Sequence, residues 1–223
     1  MRFAACLTVA FALIPSFSTL NAKDKLADYH YSASYFKMED GEDIRRLPTC
    51  ASFSRLAIVD GRTDKARIGS RRWEEGHGPA GEWAILLEGE IVPWVEDGVR
   101  QLGSKAGFRT GDPAGPVITV TLVKLVINEE KYDSSTWKGH VALDVAVTRD
   151  GAATSCFAAQ IYGSANNYGD SGKKINYDET LNQALDRAII DLFAPSALGD
   201  AVCNACRGPA SPASDSPKDA TPQ

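Results

Sequence analysis

Histidine is scarce in this chain: His30, His77 and His140 are scattered over 223 residues. Structural zinc needs four nitrogen or sulfur ligands drawn together, and no histidine neighbours Cys203-Asn204-Ala205-Cys206 to complete such a set. Arg207 follows that pair where haem attachment would require histidine. The 19 glycines form neither G-x-x-x-x-G-K-[ST] nor G-x-G-x-x-G, so no phosphate-binding loop is expected. Glu129, Glu130, Asp133, Ser134 and Ser135 lack calcium-loop spacing, and no further acid is fixed opposite them; they read as a mobile hairpin loop. No cofactor, metal or assembled catalytic set is therefore expected.

Basic residues are also in the minority, 24 against 29 acidic ones. The apolar run after Arg2 is broken by Pro15 and followed by Ser and Thr, which is too short for a bilayer span and reads as a secretory signal peptide over residues 1–22. Cys6 comes too early, without a Leu-x-x-Cys pattern, to carry a lipid. Cleavage after Ala22 removes Arg2 and leaves 23 bases against 29 acids, a net charge of −6. Nucleic acid and anionic membrane are poor partners for such a chain, and no stable membrane insertion is expected. The protein is expected to be soluble and periplasmic or secreted.

An exported chain with four remaining cysteines, Cys50, Cys156, Cys203 and Cys206, is expected to use them as disulfides. Four cysteines allow three pairings, local (Cys203–Cys206 with Cys50–Cys156) or crossed. A redox use of Cys203 and Cys206 is disfavoured, because a reactive pair belongs at a helix N-terminus behind a strand. Here the pair follows a helix and precedes a tail.

The middle of the chain carries the scaffold. Val117–Ile127 is almost wholly β-branched or aliphatic, and Val141, Leu143, Val145 and Val147 alternate onto one face. Asp150-Gly151 marks a hairpin, and Thr154–Tyr162 forms the third strand of a meander. Ahead of it lie short strands at Arg55–Val59 and Trp83–Leu87, then an amphipathic helix with Pro93 in its first turn and Val92, Val95, Val99 and Leu102 on its apolar side. Gly107 caps that helix, Phe108 returns to the core, and Trp94 reads as core. Lys65–Gly81, with Arg67, Arg71, Arg72 and Trp73, reads as a solvated polar loop, although a basic cluster beside an aromatic also suits a phosphate or a base. Residues 163–174 read as a Gly, Ser and Asn-rich loop. The last helix is expected from about Asp178, buried through Leu181, Ala184, Leu185, Ala188 and Leu192, and stopped by Pro195.

These elements predict an α+β fold: one antiparallel-rich sheet of about five strands with two helices packed on one face. Residues 23–52 form an N-terminal arm, 53–200 the single domain, and 207–223 a disordered tail rich in Pro, Ser and Ala. Asp60 and Arg62 are the weak binding candidates. They read as a turn, or as an ion pair that fixes the loop after the first strand.

With the Asp60-x-Arg62 turn, the Gly107-Phe108 helix end, Val117–Leu125 followed by two more strands, and the closing Leu181-Asn182-x-Ala184-Leu185 helix, residues 54–193 resemble the YajG-type envelope lipoproteins. The resemblance implies a non-enzymatic cell-envelope protein with no catalytic residues to carry over. The lipid-bearing cysteine is absent, which implies a free periplasmic form. The function expected is an interaction or accessory module with an envelope protein partner. An exported redox protein or hydrolase, using Cys203 and Cys206 or the scattered acids, is the alternative.

Overall fold

The computed structural model describes residues 28–39, 43–73, 80–131, 135–149 and 152–206. The expected signal peptide, the expected tail beyond Cys206 and the expected Asp150-Gly151 turn lie outside them. The fold is α+β, as expected, but among the described residues its sheet is mixed and has seven strands. These are β1 (Tyr29–Ser32), β2 (Arg55–Asp60), β3 (Arg67–Trp73), β4 (Gly81–Glu88), β5 (Val117–Lys131), β6 (Ser135–Thr148) and β7 (Ser155–Gly169). The helices are α1 (Val92–Lys105), α2 (Lys174–Phe193) and the short α3 (Ala197–Asp200), which runs on as a π-helical turn, Ala201–Ala205.

The strand order is β1-β4-β3-β5-β6-β7, with β2 also paired to β5. β5 is the axis of the sheet. One of its edges carries β6 antiparallel along almost its whole length. Its other edge is shared by two parallel strands, β2 against Val117–Leu122 and β3 against Ile127–Lys131. β1 is parallel to β4. These three parallel pairings are why the expectation of an antiparallel-rich, five-strand sheet falls short: parallel partners are distant in sequence and leave no turn signal between them.

Three segments expected as loops are strand. Lys65–Gly81 contains β3, whose residues alternate between the two faces: Arg71 pairs with Trp83 and Glu129 toward the helices, while Arg72 lies on the opposite side. Asn128–Lys131 prolongs β5, and residues 135–138 open β6. Residues 163–169 prolong β7. In β5, β6 and β7 the polar ends continue the alternation of the apolar part of the strand, whereas β3 is held as strand by its neighbours on both edges.

The core lies between the sheet and the two long helices. Val141, Leu143, Val145 and Val147 are buried on one face of β6, as their alternation requires, together with Ile118, Val120 and Leu122 of β5. α1 buries Trp94, Val95, Val99 and Leu102, and Gly107 takes φ of 77° just after it. α2 starts at Lys174, four residues before Asp178, and Lys173 at its N-cap gives the helix no side-chain cap bond. Asp178 is therefore not a cap; it faces the N-terminal arm.

α2 can seat this closely because of glycine. A Cβ on Gly163 of β7 would stand 1.8 Å from the carbonyl oxygen of Ala184, and one on Gly139 of β6 would stand 2.9 Å from Thr180 Cγ2. Gly98 of α1 gives the same access to Leu185, where a Cβ would come within 2.8 Å. Gly163 admits the backbone of α2, Gly139 and Gly98 admit side chains of α2, and none of the three serves a turn. Gly163→Ala is expected to lower stability by at least about 1–3 kcal/mol, the usual range for overpacking, read from the urea midpoint. An unchanged midpoint would contradict the close seat of α2.

Candidate functional site

Glu129 is fully buried at the end of the sheet where β5 meets β6. Its parity on β5 turns it toward the helices, one step beyond Ile127, while Glu130 points the other way and accepts from Lys138 Nζ at 2.7 Å. Arg71 Nε of β3 donates to Glu129 Oε2 at 2.7 Å. The Tyr177 hydroxyl of α2 donates to the same oxygen. Ser171 Oγ and Gly172 N, on the connection from β7 to α2, donate to Oε1, the latter at 3.1 Å. One carboxylate thus joins β3, β5, the β7–α2 connection and α2.

Aromatic rings enclose this ion pair. The Arg71 guanidinium lies 5.6 Å from the Tyr29 ring centre and 5.7 Å from that of Trp73. Tyr29 stacks on Tyr177 at 4.5 Å, and Trp137 meets Tyr177 edge-on at 6.1 Å. Burial, reinforced by the Glu129 charge, pushes the Tyr177 phenol far above its ordinary value, so it serves as a fixed hydrogen-bond donor and not as an acid.

A second polar set runs along α2 at four-residue spacing. Asp178 accepts from Tyr31 at 2.9 Å and from Lys174 at 2.7 Å. Asn182 donates to Ser34 O at 3.0 Å and accepts from Trp94 Nε1 at 2.7 Å. Asp186 accepts from the Tyr35 hydroxyl at 2.7 Å and from the backbone N–H groups of Met38 and Glu39 at 2.6 and 2.8 Å. These three residues hold the N-terminal arm along α2. Burial raises Asp186 above the ordinary carboxylate value, and it raises the Tyr31 and Tyr35 phenols as well.

Asp60 and Arg62 are brought together. Arg62 Nε and Nη2 each reach one Asp60 oxygen at 2.9 Å, and Nη2 also donates to Lys65 O at 3.2 Å. Arg62 is buried, so the pair holds the loop that carries the chain from β2 to β3 along one edge of β5. Arg62 holds the Asp60 carboxyl below its ordinary value of 3.8.

The cysteines pair in crossed fashion, Cys50 with Cys203 and Cys156 with Cys206, with Cα atoms 5.5 and 5.4 Å apart. One bridge ties the arm side of the chain to the C-terminal turn, and the other ties β7 to it. Each half of the Cys-x-x-Cys pair is committed to a different distant cysteine. The basic residues expected in one loop are dispersed: Arg67 reaches Glu82 at 3.2 Å and Arg71 is taken by Glu129. Among the described residues no group of three or more His, Cys, Asp or Glu side chains is placed to hold a metal ion, and no single helix is long and apolar enough to cross a membrane.

The carboxylates and phenols of the interior are thus joints between elements. Sequence reasoning missed both sets, although the spacing of Asp178, Asn182 and Asp186, and the parity of Glu129 with Leu125 and Ile127, are both visible in the sequence.

Three expectations follow. Glu129→Ala or Arg71→Ala should each cost about 3–5 kcal/mol in urea unfolding, with the double variant losing less than the sum; additive losses would contradict a direct pair. Asp60→Asn should lower the unfolding midpoint at neutral pH. Its carboxyl is depressed in the fold, so its contribution is present above pH 3.8 and the difference should vanish as pH falls through the folded value; a difference that widens on acidification would contradict the pair. Peptide mapping without reductant should recover Cys50 linked to Cys203 and Cys156 linked to Cys206, whereas a Cys203–Cys206 bond would overturn the crossed arrangement.

No family model matches the chain, and no curated protein is similar to it. Among solved structures, the fold is similar to that of protein XCC0632 from Xanthomonas campestris, of family DUF330, at 10% identity and a TM-score of 0.43, over 78% of this chain and 94% of that one. An uncharacterized protein is similar at 14% identity and a TM-score of 0.29, over 80% of this chain and 97% of that one. Neither is described as a YajG-type protein.

Proposed function

We propose that this chain is an exported cell-envelope protein of the YajG-like kind, a non-enzymatic interaction and accessory module that docks a protein partner on the open face of its sheet. Two disulfides suit an oxidising compartment, and the leader-like start of the sequence agrees with export.

The observation that carries the reading is the contrast between the two faces of the sheet. Toward the helices, polar groups are spent on joining β3, β5, α2 and the arm. On the other face, Thr119 and Thr121 of β5 stand opposite Ala146 and Asp144 of β6, which stand opposite Ala158 and Gln160 of β7. Tyr162 and Tyr168 of β7 lie on the same side, 58% and 70% exposed. Exposed tyrosines on a rigid strand offer contact area at low entropic cost, which suits a protein partner. Among the described residues β7 pairs only with β6, so its outer edge borders the same surface.

In cells, crosslinking of the tagged protein should recover one defined envelope protein. Tyr162→Asp combined with Tyr168→Asp should abolish that recovery while leaving the urea midpoint unchanged. Recovery of no partner, or equal recovery with the double variant, would count against the reading. The exported form should begin at Lys23; a retained leader would count against export.

A further inference from the structure

The parity of β5 changes once, and the change brings a lysine onto the open face of the sheet. Ile118, Val120 and Leu122 are buried toward the helices, and so are Leu125 and Ile127. Strict alternation from Leu122 would turn Lys124 inward and put Leu125 on the other side. A register shift between Leu122 and Lys124 instead inserts one extra residue opposite β6, so that Leu122 pairs with Leu143 and Lys124 with Ala142. Such a bulge re-aims the side chains that follow it. Here it keeps Leu125, Ile127 and Glu129 in the core and stands Lys124, exposed, on the side away from the helices.

Lys124 there borders a cavity of about 220 Å³ that is also lined by His140, Tyr162 and Ser164. Two rows of the sheet build it. In one, Lys124, Ala142 and Tyr162 lie side by side on β5, β6 and β7; in the next, His140 lies beside Ser164. Ala142 forms the floor with the backbone of Val141 and Gly163, since Val141 is buried on the helix side and Gly163 is backed by Ala184. Ala142 is 3% exposed although it belongs to the open face, because the taller side chains beside it rise past a single methyl group.

The neighbouring polar groups are tied to one another. The Tyr162 hydroxyl donates to Gln160 Oε1, and Gln160 Nε2 donates to Asp144 Oδ1 at 2.7 Å, which holds the phenol along β7 and engages the acid of the adjoining row. On the far side of His140, Lys138 Nζ lies 2.7 Å from Glu130 Oε2. Lys124 and His140 stand between these two sets, and among the described residues neither makes a hydrogen bond or an ion pair. An ammonium, an imidazole and a hydroxyl thus surround an apolar floor. The space is smaller than the roughly 300–1,000 Å³ of small-molecule sites and suits one side chain.

We propose that this cavity takes an acidic side chain, Asp or Glu, from the protein segment that docks on the open face; the inference rests on the sheet-face reading and names the chemistry of its anchor. Lys124 supplies the opposite charge, and His140 and Ser164 offer hydrogen bonds to the carboxylate oxygens. The methylene stem of the acid lies on Ala142 and the ring of Tyr162. A basic side chain would meet Lys124 head-on. A charge pair of this kind selects the partner and its register more than it adds affinity.

The test titrates the full disulfide-bonded protein by amide NMR, at constant pH and ionic strength, with an N-acetylated, C-amidated alanyl-glutamyl-alanine peptide and with its glutaminyl counterpart. The glutamyl peptide should shift the amides of Lys124, His140, Tyr162 and Ser164 saturably, and the glutaminyl peptide should bind several-fold more weakly. Lys124→Ala should weaken the glutamyl peptide by roughly fivefold, the upper end for an exposed ion pair. Lys124 is exposed, so its variants should unfold at the wild-type urea midpoint. No saturable shift, equal binding of the two peptides, or binding unchanged in Lys124→Ala would overturn the proposal. Shifts of the same amides on raising the protein concentration alone would assign the cavity to a second copy, and would overturn it too. In cells, Lys124→Glu should reduce recovery of the crosslinked partner. Undiminished recovery in Lys124→Glu, with loss in the Tyr162 and Tyr168 double variant, would sink the acidic anchor and leave the sheet-face reading standing.

Discussion

The fold depends on how near α2 can come to the sheet. A helix normally rides on side chains, but at Gly163 and Gly139 the strands present none, and the carbonyl of Ala184 and the methyl of Thr180 fill the space a Cβ would need. This seat buries Leu181, Ala184, Leu185, Ala188, Ile189 and Leu192, with Leu185 and Ile189 turned toward Gly98 of α1. Each large aliphatic side chain buried there contributes about 1.5–3 kcal/mol. It also fixes where the polar positions of α2 fall. Tyr177 is delivered to Glu129, and Asp178, Asn182 and Asp186 are set in line for the arm.

The same helix thereby organises parts of the chain far apart in sequence. Through Tyr177 it meets β3 and β5. Through its acids it holds residues 31–39. Beyond Phe193 the chain turns through α3 into the segment that carries both Cys203 and Cys206. Closing loops as long as these with disulfides removes unfolded-chain entropy, typically about 2–4 kcal/mol per bridge. Because the bridges cross, the C-terminal turn is tied to both the start of the domain and β7. With polar interior groups spent on such joints, the proposed functional surface lies outside, on the face away from the helices.

The apolar skeleton was legible in the sequence because it follows fixed periods. The β-branched and aliphatic run of β5, the two-residue alternation in β6, the three- and four-residue spacing in α1, and Gly107 followed by Phe108 are signatures of local geometry, and the structure has a strand, a strand, a helix and a helix end there. What escaped depends on partners. β3 has one buried aliphatic residue, Ile68, and is strand because β4 and β5 hold it on both edges. Gly163 read as a loop residue because a glycine that admits a helix and a glycine that makes a turn look alike until the helix is placed. Glu129 read as a loop acid because its burial is bearable only with Arg71, 58 residues away, to offset the desolvation of its charge. The crossed pairing of the cysteines was one of the open alternatives, and spacing alone does not choose among them.

Hydrogen exchange of the native protein tests the central claim most directly, because it reads the free energy of opening at each amide. If the seat of α2 is the constraint that the other elements lean on, amides from Leu181 to Ile189 and those of β6 from Gly139 to Val145 should exchange at one common slowest rate, set by global unfolding. If α2 instead opens well before β6, with exchange of its central amides far faster than global unfolding allows, then the helix is an accessory to a sheet that stands without it, and the dependence of the fold on that seat is contradicted.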